Sequence, residues 1–187
     1  MKGRLNYIAL FLLSLLFACR EGKNDEQLLN SIEQTWQLCE VSLPEAEARA
    51  EMLEDSVQKA SELVRQRYSL LTIRLRDKRG MIPSSPDSAR QTMSYFEGRK
   101  NTTDKERACY YLASAYRDLK DYPRAVNLFQ KAADIAEQSK DADTLIWQNA
   151  LSQLRNLYML QLNYEEELDA ALHSVALAKQ SGKNLEC

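Results

Sequence analysis

Residues 109–132 decide the fold, and in one-letter code they read CYYLASAYRDLKDYPRAVNLFQKA. Apolar side chains recur every three or four residues in two runs, at positions 109, 112 and 116 and then at 122, 125, 129 and 132. This spacing places the apolar side chains of each run on one face of a helix. The small residues Ala113 and Ala125 allow a neighbouring helix to approach closely. The stretch therefore predicts two amphipathic helices joined by a short polar turn.

The same periodicity continues along most of the chain and predicts an all-α fold. Gly and Pro are scarce, and residues that favour helices dominate the composition. Capping boxes at Ser42–Glu45 and Thr103–Glu106 are expected to begin the second and fifth helices. The predicted helices are 25–41, 44 to about 54, 55–78, 86–97, 104–119, 122–138, 143–162 and 164–181.

A repeat becomes visible when these helices are taken in pairs. An alanine stands near the start of the second helix in three pairs, at Ala46, Ala89 and Ala125, and Glu167 takes this place in the fourth pair. The intervals are 43, 36 and 42 residues, whereas a strict tetratricopeptide repeat has about 34. Residues 104–139 nevertheless resemble one tetratricopeptide unit in their apolar and small positions.

The last pair, 143–181, resembles the same family less closely, since Arg155 and Glu167 stand where small residues are usual. The resemblance implies an α-solenoid of antiparallel helix pairs over residues 27–182, with 104–139 and 143–181 as its best units. It also implies a binding surface rather than a catalytic centre. The chain as a whole resembles the N-terminal part of longer tetratricopeptide lipoproteins of the Bacteroides type.

The first residues have the pattern of an export signal. Lys2 and Arg4 precede an apolar run at 7–17, which is too short for a comfortable membrane-spanning helix. The run ends in Leu16-Phe17-Ala18-Cys19, which resembles a bacterial lipobox. The resemblance implies cleavage before Cys19 and a diacylglycerol on its thiol. The alternative is an ordinary signal peptide in which the cysteine is a coincidence.

The lipoprotein interpretation divides the chain into four parts. Residues 1–18 are the signal peptide, 19–26 a flexible tether, 27–182 the helical repeat domain and 183–187 a C-terminal tail. Two or more acyl chains on Cys19 would hold the protein firmly on a membrane. Arg20 follows the cysteine in place of an acidic residue, which by resemblance to lipoprotein sorting patterns favours the outer membrane over the inner one.

Composition and motifs offer little support for catalysis. The single histidine, His173, has no second histidine or metal-spaced acidic cluster beside it, and the five glycines form no phosphate-binding loop. We therefore expect no enzyme, no metal and no cofactor. The formal charge of −2 shows no basic excess, so nucleic acid is not an expected partner.

Two further features have a structural and a functional interpretation. The basic run at 65–79 fits the polar face of a helix, or a surface that contacts acidic lipid, cell-wall polymer or nucleic acid. Cys39 and Cys109 fall on apolar helical faces, so packed free thiols are expected in preference to a disulfide. Cys187 is the last residue of the sequence.

The family resemblance implies that the first helices of the pairs line a groove for a peptide or a partner helix. Matching the two best units residue by residue places ten residues on that side, of which the first eight are the candidate groove residues, and the alternative is that they simply face water. They are Arg107, Tyr110, Ser114, Arg117, Asp118, Asn149, Ser152 and Asn156, followed by Met159 and Leu160.

Two functions are compatible with these features. The first is a membrane-anchored adaptor or scaffold that binds a protein or peptide partner in the bacterial cell envelope. The second is a sensory or regulatory input module, the front part of a longer signalling protein of which this chain is a truncated portion. The second follows from the lack of a polar capping helix after residue 181.

Overall fold

The structure is a computed structural model that describes residues 23–161 and Leu168. This part of the chain is all-helical, contains no strand and has seven helices, which confirms the predicted all-α class. The helices are α1 (23–38), α2 (Leu43–Gln58), α3 (Glu62–Lys78), α4 (Asp87–Glu97), α5 (Thr102–Asp118), α6 (Tyr122–Glu137) and α7 (144–161). The predicted signal peptide, Cys19, the helix at 164–181, His173 and the tail at 183–187 lie outside the described residues.

Two predicted boundaries differ from the structure. Helix α3 begins at Glu62, and the prediction of a start near Asp55 was wrong because α2 continues to Gln58. The break has neither Gly nor Pro; it depends on the extended backbone of Ser61, with φ −60° and ψ 162°. Helix α1 begins at residue 23, so the last four residues of the predicted tether are helical.

The helix caps also differ in detail from the predicted capping boxes. Helix α5 is capped by Asn101, whose side-chain oxygen accepts the Asp104 backbone N–H at 2.9 Å. Asp121 caps α6 in the same way through the backbone N–H of Arg124, at 3.3 Å. Ser42 precedes α2, but its side chain makes no capping hydrogen bond. An Asx cap serves α5 because Asn fits the N-cap position at least as well as Thr does.

Helix α5 is the centre of the fold, since it packs against α3, α4 and α6. Its buried face extends almost all round the helix, from Asp104 to Tyr116. The Tyr110 ring contacts the Phe129 ring of α6 edge-on, with centroids 5.3 Å apart. The repeat alanines of α2, α4 and α6 are all buried in the core, as close helix packing requires; they are Ala46, Ala89 and Ala125.

Two helices end in the same left-handed turn, one at a glycine and one at a lysine. Gly80 follows α3 with φ 67°, and Lys120 follows α5 with φ 63°. In each turn the next residue donates its N–H back into the helix, from Met81 to Arg76 O and from Asp121 to Tyr116 O. This is the Schellman motif, in which glycine carries no steric penalty and lysine does.

Exchanging the residue types at these two turns is expected to change stability in opposite directions. Gly80→Ala should lower the free energy of unfolding by about 1 kcal/mol, and Lys120→Gly should raise it by about the same amount. Urea denaturation followed by circular dichroism measures both. Gly98→Ala is the control, because Gly98 has φ −82° and open space around its Cα. A loss at Gly98 equal to that at Gly80 would contradict the conformational explanation.

Candidate functional site

The structure places the eight predicted groove residues in different surroundings. Of the five predicted residues in α5, three are buried and two are half-buried. Of the three in α7, two are half-buried and one is exposed. The buried residues are Arg107, Tyr110 and Ser114, the half-buried ones are Arg117, Asp118, Asn149 and Ser152, and the exposed one is Asn156.

Arg107 is held by partners within the chain. Its two terminal nitrogens donate to both carboxylate oxygens of Glu33 in α1, at 2.7 and 2.9 Å. Its Nε donates to Asp143, just before α7, at 2.8 Å. Only 6% of Arg107 is exposed. Helix α1 thus covers this end of the predicted groove, and Arg107 connects α1, α5 and the start of α7.

Trp36 completes this cluster and was not singled out as a site residue from the sequence. Two guanidinium groups lie over its ring, with Arg74 at 4.1 Å and Arg107 at 4.2 Å from the ring centroid. Its Nε1 donates to Asp143 at 3.2 Å, and its ring meets Tyr111 edge-on at 5.7 Å. A tryptophan ring gains cation–π attraction from each of two guanidinium groups at this distance. The cluster is therefore a polar core that joins three helices.

Charge and burial shift the pKa values of two acids at this cluster, Glu33 and Glu106, in opposite directions. Burial alone would raise the pKa of Glu33, but the hydrogen bonds and charge of Arg107 lower it below its usual value. Burial raises the pKa of Glu106 to about 7, with the charge of Asp143 adding to the rise. Glu106 accepts the backbone N–H of Asp143 at 2.9 Å through one oxygen, and its other oxygen has no hydrogen-bond partner.

Tyr110 also belongs to the core. Its ring packs edge-on against Tyr111 as well as Phe129, with the Tyr111 centroid 5.0 Å away. Burial raises the pKa of Tyr110 to about 12, so its phenol is neutral at physiological pH. A partner cannot reach it without a rearrangement of α5.

Arg117 is shared between two carboxylates. Its Nη2 lies 3.2 Å from Asp77 of α3 and 2.8 Å from Asp118 of α5. Burial raises the pKa of Asp77, although the charge of Arg117 opposes the rise. Arg117 was predicted to lie in the partner groove; here two acids of the chain already occupy its guanidinium.

A cleft of about 430 Å³ opens beside this group, and we call it the α3–α5 cleft. It lies between α3, the segment 81–86, the start of α4 and the end of α5. Two of the predicted groove residues, Ser114 and Asp118, line it. Its lining residues are Ile73, Arg76, Asp77, Met81, Ile82, Pro83, Ser84, Ser85, Ser88, Ala89, Tyr111, Ser114, Ala115 and Asp118.

Helix α7 carries the other predicted residues on a more open surface. Asn156 is exposed there, and Asn149 and Ser152 are half-buried. Large apolar side chains are exposed on the same helix, which is a common property of contact surfaces. These side chains are Leu151, Tyr158, Met159 and Leu160.

The basic run of α3 is largely engaged in ion pairs. Arg74 and Lys78 both contact Glu40, Arg79 contacts Glu47, and Arg65 contacts Glu62. Arg67 reaches Asp104 of α5 at 2.9 Å. These pairs favour the structural interpretation of the run over a surface for acidic polymers.

Among the described residues, neither cysteine forms a disulfide and no metal-binding cluster is present. Cys39 and Cys109 are both free and buried, as expected for packed thiols. Burial raises the pKa of Cys109 to about 12, and its sulfur lies 3.4 Å from that of Met93. Among residues 23–161, no three acidic, histidine or cysteine side chains are arranged to hold a metal ion.

Comparisons with known proteins add no family name. No protein-family model, curated protein or solved structure matches this chain. Of the helices that the structure describes, none combines the length and apolar character needed to cross a membrane.

Proposed function

We propose that this chain is an envelope-anchored, tetratricopeptide-like lipoprotein whose helical repeat holds a protein partner at a membrane surface. The observation that carries the proposal is the α3–α5 cleft. Two residues that the family resemblance assigns to a partner groove, Ser114 and Asp118, line a half-buried cavity of about 430 Å³. Pockets that take ligand groups fall in this range and combine apolar walls with a few polar groups.

The burial of three equivalent alanines supports a repeat of helix pairs. Ala46, Ala89 and Ala125 stand at the third or fourth position of α2, α4 and α6, and all three are buried. A small buried residue at the same place in alternate helices is what stacked helix pairs need. The finer assignment, an α-solenoid of antiparallel pairs, is part of the proposal.

The partner surface that we propose combines the cleft with the exposed side of α7. Arg107 and Tyr110 are not part of the exposed partner surface, because both are buried against other residues of the chain. Ile82 stands at the cleft with 71% of its surface exposed. Asn156 on α7 is exposed as well. These two positions offer access without disturbing the core.

Site-specific photo-crosslinking tests the partner. Benzoylphenylalanine is introduced into the full chain in place of Ile82 or of Asn156, and irradiated cells are analysed for covalent adducts. Glu51, exposed on α2, is the control position. We expect the same discrete protein adduct from Ile82 and Asn156 and none from Glu51. An absence of adducts at both test positions, or identical adducts at all three, would contradict the adaptor function.

The anchor is tested in the same cells by fatty-acid labelling. The proposal expects label on the wild type and none on Cys19→Ala, together with release of that variant from the membrane fraction. Cys39→Ala controls for labelling of other thiols, since Cys39 is buried. Equal labelling of the wild type and Cys19→Ala would exclude the lipoprotein.

A further inference from the structure

The charges in the α3–α5 cleft do not balance at its inner end. Among the described residues, one cation, Arg117, contacts both Asp77 and Asp118, at 3.2 and 2.8 Å. Both carboxylates are only 22% exposed, so water screens them less than it would at the surface. Arg76 also lines the cleft but is exposed, where its charge is largely screened. A second cation would therefore be stabilised more beside these two carboxylates than at the exposed side of the cleft.

Ser114 adds a second, independent sign of a missing ligand group. Ser114 lines the cleft, only 2% of the residue is exposed, and its side-chain oxygen has no hydrogen-bond partner among the described residues. The Ser114 hydroxyl limits the rise in the pKa of Tyr110, so the two hydroxyls lie near each other, although the described contacts include no hydrogen bond between them. An unpaired buried hydroxyl is costly, and a donor entering the cleft would satisfy it.

The walls of the cleft favour an apolar stem. Ile73 of α3 and Tyr111 of α5 line it, and Met81 and Ile82 stand at its side with most of their surface exposed. Small residues leave the space between α4 and α5 open; they are Ser88, Ala89, Ser114 and Ala115. A side chain that enters would therefore meet apolar surface along its length and carboxylates at its end.

We propose that the α3–α5 cleft binds a lysine side chain of a partner peptide, an inference that rests on the proposed protein-binding function. Lysine has a flexible four-carbon stem and a compact ammonium group with three donors. The stem covers Ile73 and Tyr111. The ammonium group donates to Asp77, Asp118 and Ser114. An acidic side chain would be repelled by the two carboxylates. A neutral apolar side chain would bring them no second cation and would leave the serine hydroxyl unpaired.

Peptide pools with one fixed residue test this specificity. The purified full chain is immobilised in detergent and exposed to acetylated, amidated hexapeptides that are randomised except at the fourth position. That position is lysine in one pool and norleucine, which has the same stem without the ammonium group, in the other. We expect the lysine pool to be retained about tenfold more, as a charge-assisted hydrogen bond implies. Equal retention of the two pools overturns the inference.

Variants of the full chain locate the lysine preference. Asp118→Asn and Ser114→Ala should each reduce it severalfold, because the first removes one negative charge and the second removes one acceptor. Asp118→Asn should remain folded, since it leaves Arg117 paired with Asp77, and circular dichroism checks this. Glu51→Gln makes the same charge change on the exposed surface of α2 and should leave the preference intact. An unchanged preference in both cleft variants also overturns the inference.

The two proposals fail in different ways. A crosslinked partner without any lysine preference leaves the adaptor function standing and removes the lysine site. A lysine preference without a crosslinked partner supports the cleft as a binding site and removes the adaptor function.

Discussion

Replacing Arg107 with methionine is expected to lower the free energy of unfolding by about 3–5 kcal/mol, the usual cost of breaking a buried ion pair. Arg107 spans three parts of the fold through Glu33 in α1, its own helix α5 and Asp143 at the start of α7. Methionine keeps the apolar volume and removes every hydrogen bond. Urea denaturation followed by circular dichroism gives the value.

The size of this effect depends on the side chains that lose Arg107 as a partner. Without Arg107, the side chain of Asp143, which is 11% exposed, keeps Trp36 as its one side-chain donor among the described residues. Trp36 also loses one of the two guanidinium groups that cover its ring. A buried polar group left without its partner costs more free energy than the original hydrogen bond contributed to stability. Glu33 adds less to the loss because 45% of its side chain is exposed.

Two other arginine variants make the result interpretable. Arg124→Met removes an exposed pair with Asp121 and should cost less than about 1 kcal/mol. Arg107→Lys keeps a charge but cannot reproduce the two parallel bonds to Glu33, so an intermediate loss is expected. If Arg107→Met were no more destabilising than Arg124→Met, the cluster would have no structural role.

Periodicity was sufficient to predict the fold class, but not the surroundings of α5. The apolar positions of α5 follow from spacing alone, and Phe129 and Ala125 are buried as that spacing requires. The burial of Arg107 does not follow, because its partner Glu33 is 74 residues away along the chain. A polar residue on a helix has the same local pattern whether it faces water or a distant acid.

The candidate site was predicted only in part for the same reason. The family resemblance assigned Ser114 and Asp118 to a partner groove, and both line the cleft. The other wall is the segment 81–86, which the sequence identified only as a helix break. Its position depends on the left-handed turn at Gly80, which directs the chain after α3. Local propensity predicts such a turn but not the helix that it faces.

Glu106→Gln is expected to stabilise the protein at pH 8 and to have little effect at pH 5. Glu106 is fully buried, and burial raises its pKa from 4.5 to about 7. It holds the backbone of Asp143, which in turn caps α7 by accepting the N–H of Ile146 at 3.3 Å. At pH 8 the folded protein must keep a buried carboxylate ionised near the acidic Asp143.

The sign follows from proton binding. A raised pKa means that the folded state binds the Glu106 proton more tightly than the unfolded chain, so its contribution is complete below pH 4.5 and disappears as pH rises through about 7. The difference between these pKa values corresponds to about 3 kcal/mol. Glutamine retains an oxygen for the Asp143 N–H and has no charge, so the variant should lose this pH dependence. Urea denaturation of both proteins between pH 4 and 9 measures it.

Glu97→Gln separates this effect from a general response to lost negative charge. The hydrogen bond from Lys131 lowers the pKa of the exposed Glu97, with the lysine charge acting in the same direction. Its carboxylate therefore contributes stability that is present above its usual pKa and is lost as pH falls. Removing it should destabilise at pH 8, opposite in sign to Glu106→Gln. Two variants with the same charge change and opposite effects at one pH would assign the difference to burial, whereas effects of the same sign would contradict a buried Glu106 with a raised pKa.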